Sequence, residues 1–475
     1  MLRNLTIAAA LGGLATAAPR PATDIPAITT LPPTGTEPGA APTRVSNNPE
    51  EPLTGVTSHG PYSGTPTITG GKKAPTTLAL SIDTPPPAPT HSYYNPDGEL
   101  RAPAQLPYTP GGGKGVNDTL PRYMVASDYD FESVNLGLHQ EWIELDLFHH
   151  GLAKFSEQDF IDAGLTAEDR SFIQFMANQE ADHATLLTNM LGEAAPKQCT
   201  YNYPFTTVRE FIDFNVKLTR WGESGVWGFL SHLDSREVGT MLVQAESVEA
   251  RQQMAFRQML GLHPMPFSFV PGVPQSWHWT LLAPYISECP ANNTRIGWQN
   301  FPALRILNHP NPNRVSPNDT RENELVGQRV ADPSNSTLSD SESCVGNTTV
   351  GYNCSPGISR NRTEPLTFPG RKVFLEWEDP GMAVGPNNSY ITDTSAKDPK
   401  FLAWVGQLNL TYTPLEVTGP NQGWSYQPPN EVFHGDPAIN GTVFLAITDS
   451  DLYLTPFNLS LINPHVRALG IMHAG

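Results

Sequence analysis

The chain has 475 residues, with 29 Lys and Arg against 47 Asp and Glu, so its net charge is -18, and it carries 47 prolines. That length has room for two domains and a tail. The charge excludes nucleic acid and anionic lipid as natural partners, because both are held by clustered cationic side chains.

The opening "MLRNLTIAAALGGLATAAPR" places Arg3 before an apolar run from Leu5 to Leu14, and Ala15, Thr16 and Ala17 supply a small-residue cleavage pattern. Residues 1–17 therefore read as a secretory signal peptide. The run is shorter than the ~20 apolar residues that span a bilayer. The expectation is a secreted protein, extracellular or in the cell wall, with no membrane span. Residues 18–119 are rich in Pro, Thr, Ser and Gly, as in "TDIPAITTLPPTGTEPGAAPT", and too poor in large apolar groups to build a core. They read as a disordered stalk.

Sequons of the form N-x-[ST] agree with export and predict a glycoprotein: Asn117, Asn292, Asn318, Asn335, Asn347, Asn353, Asn361, Asn387, Asn409, Asn440 and Asn458. The four cysteines lack C-x-x-C spacing, so in an oxidising compartment they point to disulfides. Three pairings are open. The short gap favours Cys344 with Cys354, leaving Cys199 with Cys289.

Only three of the 47 prolines fall between Leu120 and Leu262, and since proline breaks helix interiors, residues 120–263 are the helical part. Capping signals predict four helices there. The first runs from about Asp128 to Gly151. Thr166 with Asp169 opens the second, which ends near Gly192. Thr207 with Glu210 opens the third, and Asp234 with Glu237 the fourth, closed by Gly261. The longer link "GEAAPKQCTYNYPFT" joins the second to the third, which suits an up-down-down-up bundle with one crossover. Trp142, Trp221 and Trp227 read as bundle core. Residues 264–369 read as a loop-rich extension. Beyond them, at 370–475, "RKVFLEWED", "LNLTYTPLEV" and "TVFLAITD" are short β-type runs predicting a small β domain, a sandwich. The fold class is thus α+β.

Mid-helix carboxylates carry the candidate chemistry, because an ionised Glu is seldom buried without a partner. A carboxylate-bridged two-metal bundle needs one Glu from each of two helices and a Glu-x-x-His pair from each of the other two. Glu144 followed by Glu180-x-x-His183 fits the first half, and Glu223 followed by Glu249 the second. Gln252 stands where the second histidine belongs, and an amide is a weak ligand. Glu141, one turn before Glu144, and Glu246, level with Glu223, are alternates. Without a metal, carboxylates so gathered need protons or a cation such as Arg251. Phosphate-loop, nucleophile-elbow and H-E-x-x-H patterns are not found.

"LGLHQEWIELDLFHHGL", "FMANQEADHATLL", "GESGVWGFL" and "VEARQQMAFRQMLG" together resemble the secreted ferritin-like proteins of filamentous fungi, the rds-type stress-response and LsdA-type sexual-development family. The resemblance extends through "INGTVFLAITDSDLYLTPFNLSLINPHV", so it spans about Leu120 to His465. It implies a ferritin-like four-helix bundle with Glu144, Glu180, His183, Glu223 and Glu249 at ligand-type positions, and it aligns Gln252 with a histidine of the wider ferritin-like group. The functional expectation is a stress or developmental glycoprotein associated with cell-wall polysaccharide or matrix, its metal site degenerate. The alternative is an extracellular non-haem oxidoreductase using two iron or manganese ions with oxygen or peroxide.

Overall fold

The computed structural model describes residues 43–44, 123–260, 262–309, 367, 369–434 and 436–475. The signal peptide, the stalk apart from 43–44, Cys344, Cys354 and the sequons at Asn117, Asn318, Asn335, Asn347, Asn353 and Asn361 lie outside them. Thr43 and Arg44, read from sequence as stalk, pair in parallel with Leu452 and Tyr453.

Local chemistry starts each helix. The Ser127 hydroxyl accepts the Asp130 amide and opens α1, Asp128–Lys154. Capping boxes at Thr166/Asp169 and Thr207/Glu210 open α3, Ala167–Leu191, and α4, Val208–Leu230. A further box at Ser156/Asp159 opens the short α2, Glu157–Asp162, which the sequence reading missed and which buries Phe160 between the longer helices. Helix α5, Arg236–Met259, is capped by Ser235 rather than Asp234. The reason lies on α1. The Asp130 carboxylate accepts the amides of both Asp234 (2.8 Å) and Ser235 (3.0 Å), fixing this turn so that the Ser235 hydroxyl meets the Val238 amide.

Helix directions follow from side-chain contacts. Arg170 at the start of α3 donates to the carbonyls of Leu152 and Phe155 at the end of α1, while Val125 before α1 bonds Met190 near the end of α3. Gln140 of α1 donates to the Leu218 carbonyl of α4, and Gly151 faces Phe211, so α1 runs antiparallel to α4 as well. Gln253 of α5 reaches the Val216 carbonyl. The order is up-down-down-up, with the crossover between α3 and α4, as in ferritin-type bundles.

The segment expected as loop begins with a sixth helix, α6, Gln275–Leu282, with Trp277, Trp279 and Leu282 fully buried. It presses on α4 so closely that a Cβ on Gly225 would sit 2.2 Å from His278, and one on Gly228 would sit 1.8 Å from the Val273 carbonyl oxygen. Gly225 and Gly228 of "GESGVWG" therefore make room for α6 and the residues leading into it. Trp142 and Trp221 are buried, but Trp227 is 38% exposed. Six residues after Trp221 it has turned about 240° around the helix, off the core face.

The β region is a sandwich. One antiparallel sheet orders Glu416–Gly419, Gln422–Tyr426, Lys372–Trp377 and Leu304–Ile306; the last of these strands also lies in the segment expected as loop. The other orders Val466–His473, Thr442–Thr448, Phe401–Gly406 and Asn409–Pro414. Val443, Leu445 and Ile447 face the first sheet, whereas Phe444 and Ala446 join the core shared with the helices. Burial on both faces explains why "TVFLAIT" does not alternate with polar residues. Cys199 and Cys289 are disulfide-bonded beside a short antiparallel pair, Thr200–Tyr201 with Ile286–Glu288, tying the crossover link to the segment after α6. Among the described residues no helix is long and apolar enough to cross a membrane.

Candidate metal centre

Residues at i and i+3 share a helix face, and α1, α3, α4 and α5 each turn such a face inward. Glu141 and Glu144 come from α1, Glu180 and His183 from α3, Glu223 from α4, and Glu246, Glu249 and Gln252 from α5. All eight are buried, His183 least so at 8% exposed. They are spread along the bundle axis rather than gathered at one centre.

At the first level, Glu141, Glu180, His183 and Glu249 each place a ligand atom within 4.8 Å of the others. His183 Nδ1 lies 3.2 Å from Glu180, 3.3 Å from Glu141 and 3.8 Å from Glu249. Gln252 is not at the rim, where an amide in place of imidazole was expected. It lies inside and donates its amide to Glu180, and at 3.2 Å to the Gln179 side chain.

At the second level stand Glu223 and Glu246; Glu144, which faces Glu180 and Glu141, lies on the opposite side of the four-donor group. Glu246 is close enough to Glu223, Glu141 and Glu144 for their charges to raise its pKa. The cation here is Arg220, 3.2 Å from Glu223, with its guanidinium 4.5 Å from the centre of the Phe267 ring. Arg251, proposed as partner from sequence, is exposed on the outer face and donates to the Ser247 carbonyl. Arg220 was legible as a residue three before Glu223, but nothing in its spacing separated it from a solvated arginine. Behind this level the Gln140 side chain bridges the Leu218 carbonyl and His278 Nε2, and Gly222 leaves it space.

Electrostatics separate the Glu180–His183 pair from the other carboxyl groups. Burial raises the Glu141 pKa to about 7, with His183 opposing and Glu180 adding to it. Burial, and then neighbouring carboxylates, hold Glu144, Glu246 and Glu249 well above the usual range. Glu223 is raised by burial against the pull of Arg220. Burial also acts on Glu180 and His183, but there their mutual attraction wins: the carboxylate is held below and the imidazole well above its usual range. The metal-free state is thus a Glu180–His183 ion pair among carboxyls that favour their protons.

This donor set fits an ion. Three carboxylates and one imidazole suit iron or manganese, and Glu249 Oε2 is buried without a hydrogen bond, a costly condition that a cation would relieve. His139 and the Cys199–Cys289 sulfurs form a separate group.

A bundle of this topology with this centre defines a ferritin-like protein, and residues 129–262 match the Ferritin-like domain family. The chain is 48% identical over 363 residues to Protein rds1 of Schizosaccharomyces pombe, covering 76% of this chain and 84% of that protein. It belongs to the rds1 family.

Proposed function

We propose that the chain is a secreted, stress-related glycoprotein in which the ferritin-like bundle holds a single metal ion at Glu141, Glu180, His183 and Glu249, and that the second ion of a two-metal centre is replaced by the guanidinium of Arg220. The observation that carries this reading is the division of the buried carboxylates into a four-donor group and a group paired with an arginine. Bound iron or manganese would supply a Lewis acid and a one-electron couple. The chain's own contribution is positional. Gln252 orients Glu180, His183 faces the three carboxylates through Nδ1, and Arg220 supplies a fixed positive charge that disfavours a second cation. The bundle then acts chiefly as a rigid scaffold in a cell-wall or matrix setting.

The oxidoreductase reading draws on Glu144, both of whose oxygens are buried without a hydrogen bond of ordinary geometry, and on Glu246 Oε2, which is in the same condition. It requires a second ion beside one of these carboxylates. Metal stoichiometry of the secreted protein, with a Glu180→Ala, His183→Ala variant as control, separates the readings: one ion lost in the variant supports the single-ion centre, and two ions support the oxidoreductase.

A further inference from the structure

The crossover link brings the Cys199–Cys289 disulfide against α1, where a ring nitrogen of His139 and the two sulfurs lie within 4.8 Å of one another. His139 Nδ1 is 2.9 Å from the Asn135 carbonyl. A carbonyl can only accept, so Nδ1 carries the proton and Nε2 keeps the lone pair that a metal needs, the outer-partner arrangement common to metal-bound histidines. The ring is also held edge-on to Trp279 at 6.5 Å. A cavity of about 190 Å³, lined by His139, Cys289, Asn293 and Tyr390 among others, opens beside this group. Three donors on one side and a solvent-accessible cavity on the other is the layout of a zinc site with an open fourth position.

The geometry points to a thiol-gated site for a soft or borderline cation, zinc(II) or copper(I), formed by His139, Cys199 and Cys289 once their disulfide is reduced. A dithiol reductant passes two electrons and two protons to the sulfur–sulfur bond and is itself oxidised to a disulfide. The bond breaks, two cysteine thiols form, and the cation displaces their two protons as it binds. Ligand atoms around tetrahedral zinc stand about 3.5 Å apart, from Zn–S distances of ~2.3 Å and Zn–N distances of ~2.0 Å. Once the sulfur–sulfur bond is broken the two sulfurs part to that spacing, and the histidine nitrogen, within 4.8 Å of both, closes by about 1 Å. Soft thiolates set this site apart from the carboxylate centre in the bundle.

The test uses the full chain carrying Cys344→Ser and Cys354→Ser, so that the remaining thiols are those of the site, with cobalt(II) as a spectroscopic stand-in for zinc. The expected result is one additional cobalt per reduced chain, with a thiolate-to-cobalt charge-transfer band that the oxidised chain lacks. Carboxylate-bound cobalt in the bundle gives no such band, so the outcome does not depend on the bundle centre. His139→Gln should weaken the reduced-state affinity by at least the ~10-fold that loss of even an outer partner costs. A reduced chain that unfolds, that shows no thiolate band, or that binds equally well with His139→Gln overturns the proposal.

Discussion

Gln252 donates its side-chain amide to Glu180, from the position where a second Glu-x-x-His pair would have placed an imidazole. The substitution turns a ligand position into a support for a ligand: an uncharged donor holds the Glu180 carboxylate toward His183. Gln252→Leu preserves bulk but leaves Glu180 short of a buried donor. Such a loss costs about 1–3 kcal/mol. Denaturant unfolding of the metal-free protein should show a loss of that size, and metal affinity should fall with it. Unchanged stability and affinity would mean that Gln252 fills space only.

Among the described residues, Arg220 is the cation that pairs with Glu223. Removing one partner of a buried pair costs about 3–5 kcal/mol, because the other charge is left uncompensated. Arg220→Met should therefore destabilise the protein by that amount near neutral pH. The loss should shrink on acidification, as Glu223, already raised by burial, takes up a proton. A loss that is the same at pH 5 and pH 8 would show that packing against Phe267, and not charge, is what Arg220 supplies.

The metal-free centre should behave as a set of groups with raised pKa values. For such a group the stability it contributes is fully present below the unfolded pKa and is lost as pH rises through the folded value. The unfolded glutamate value is about 4.3; Glu141 is raised to about 7 in the folded protein, and Glu144, Glu246 and Glu249 are well above the usual range. His183, also raised, acts in the same direction. Metal-free protein should thus lose thermal stability from about pH 4.3 through 7 and beyond, by about 1.4 kcal/mol per pH unit for each proton of difference. Metal binding replaces those protons. The gap in melting temperature between loaded and metal-free protein should therefore widen from pH 5 to pH 8, and a gap that narrows would refute the assignment.

Much of this was legible in the sequence. Thr166, Thr207 and their acidic partners three residues on mark helix starts because capping is local chemistry, and the low proline content between Leu120 and Leu262 marks the bundle. The mid-helix carboxylates were visible as residues too polar for their position. Which carboxylate meets which was not legible, because Glu141 and Glu144 share a face and only the packing height of α3 and α5 decides between them. Helix α6 was hidden by prolines on both sides and by burial of its polar Gln275, Ser276, His278 and Thr280 along with its apolar residues, which leaves no helical period. Its footprint was nevertheless present, in Gly225 and Gly228. The strand Leu304–Ile306 was too short to read alone and exists by pairing with Lys372–Trp377.

The sequons divide by exposure. Asn292 and Asn387 are exposed, whereas Asn458 is 7% exposed and accepts the Thr455 amide at 2.7 Å, and the Asn440 amide donates to the Pro266 carbonyl. An occupied sequon needs its side-chain nitrogen free in solvent. Glycopeptide mapping of secreted protein should find glycans on Asn292 and Asn387 and bare peptide at Asn458 and Asn440. Occupancy at Asn458 would require a different local fold around Leu459–His465.

Metal content per chain tests the central claim most directly. Oxidised, secreted protein loaded with iron(II) or manganese(II), freed of excess ion and measured by plasma mass spectrometry, should carry one ion per chain, lost in Glu180→Ala, His183→Ala. No retained metal, or two ions per chain with Arg220 in place, would contradict a bundle in which four donors hold a single ion and an arginine stands in for the second.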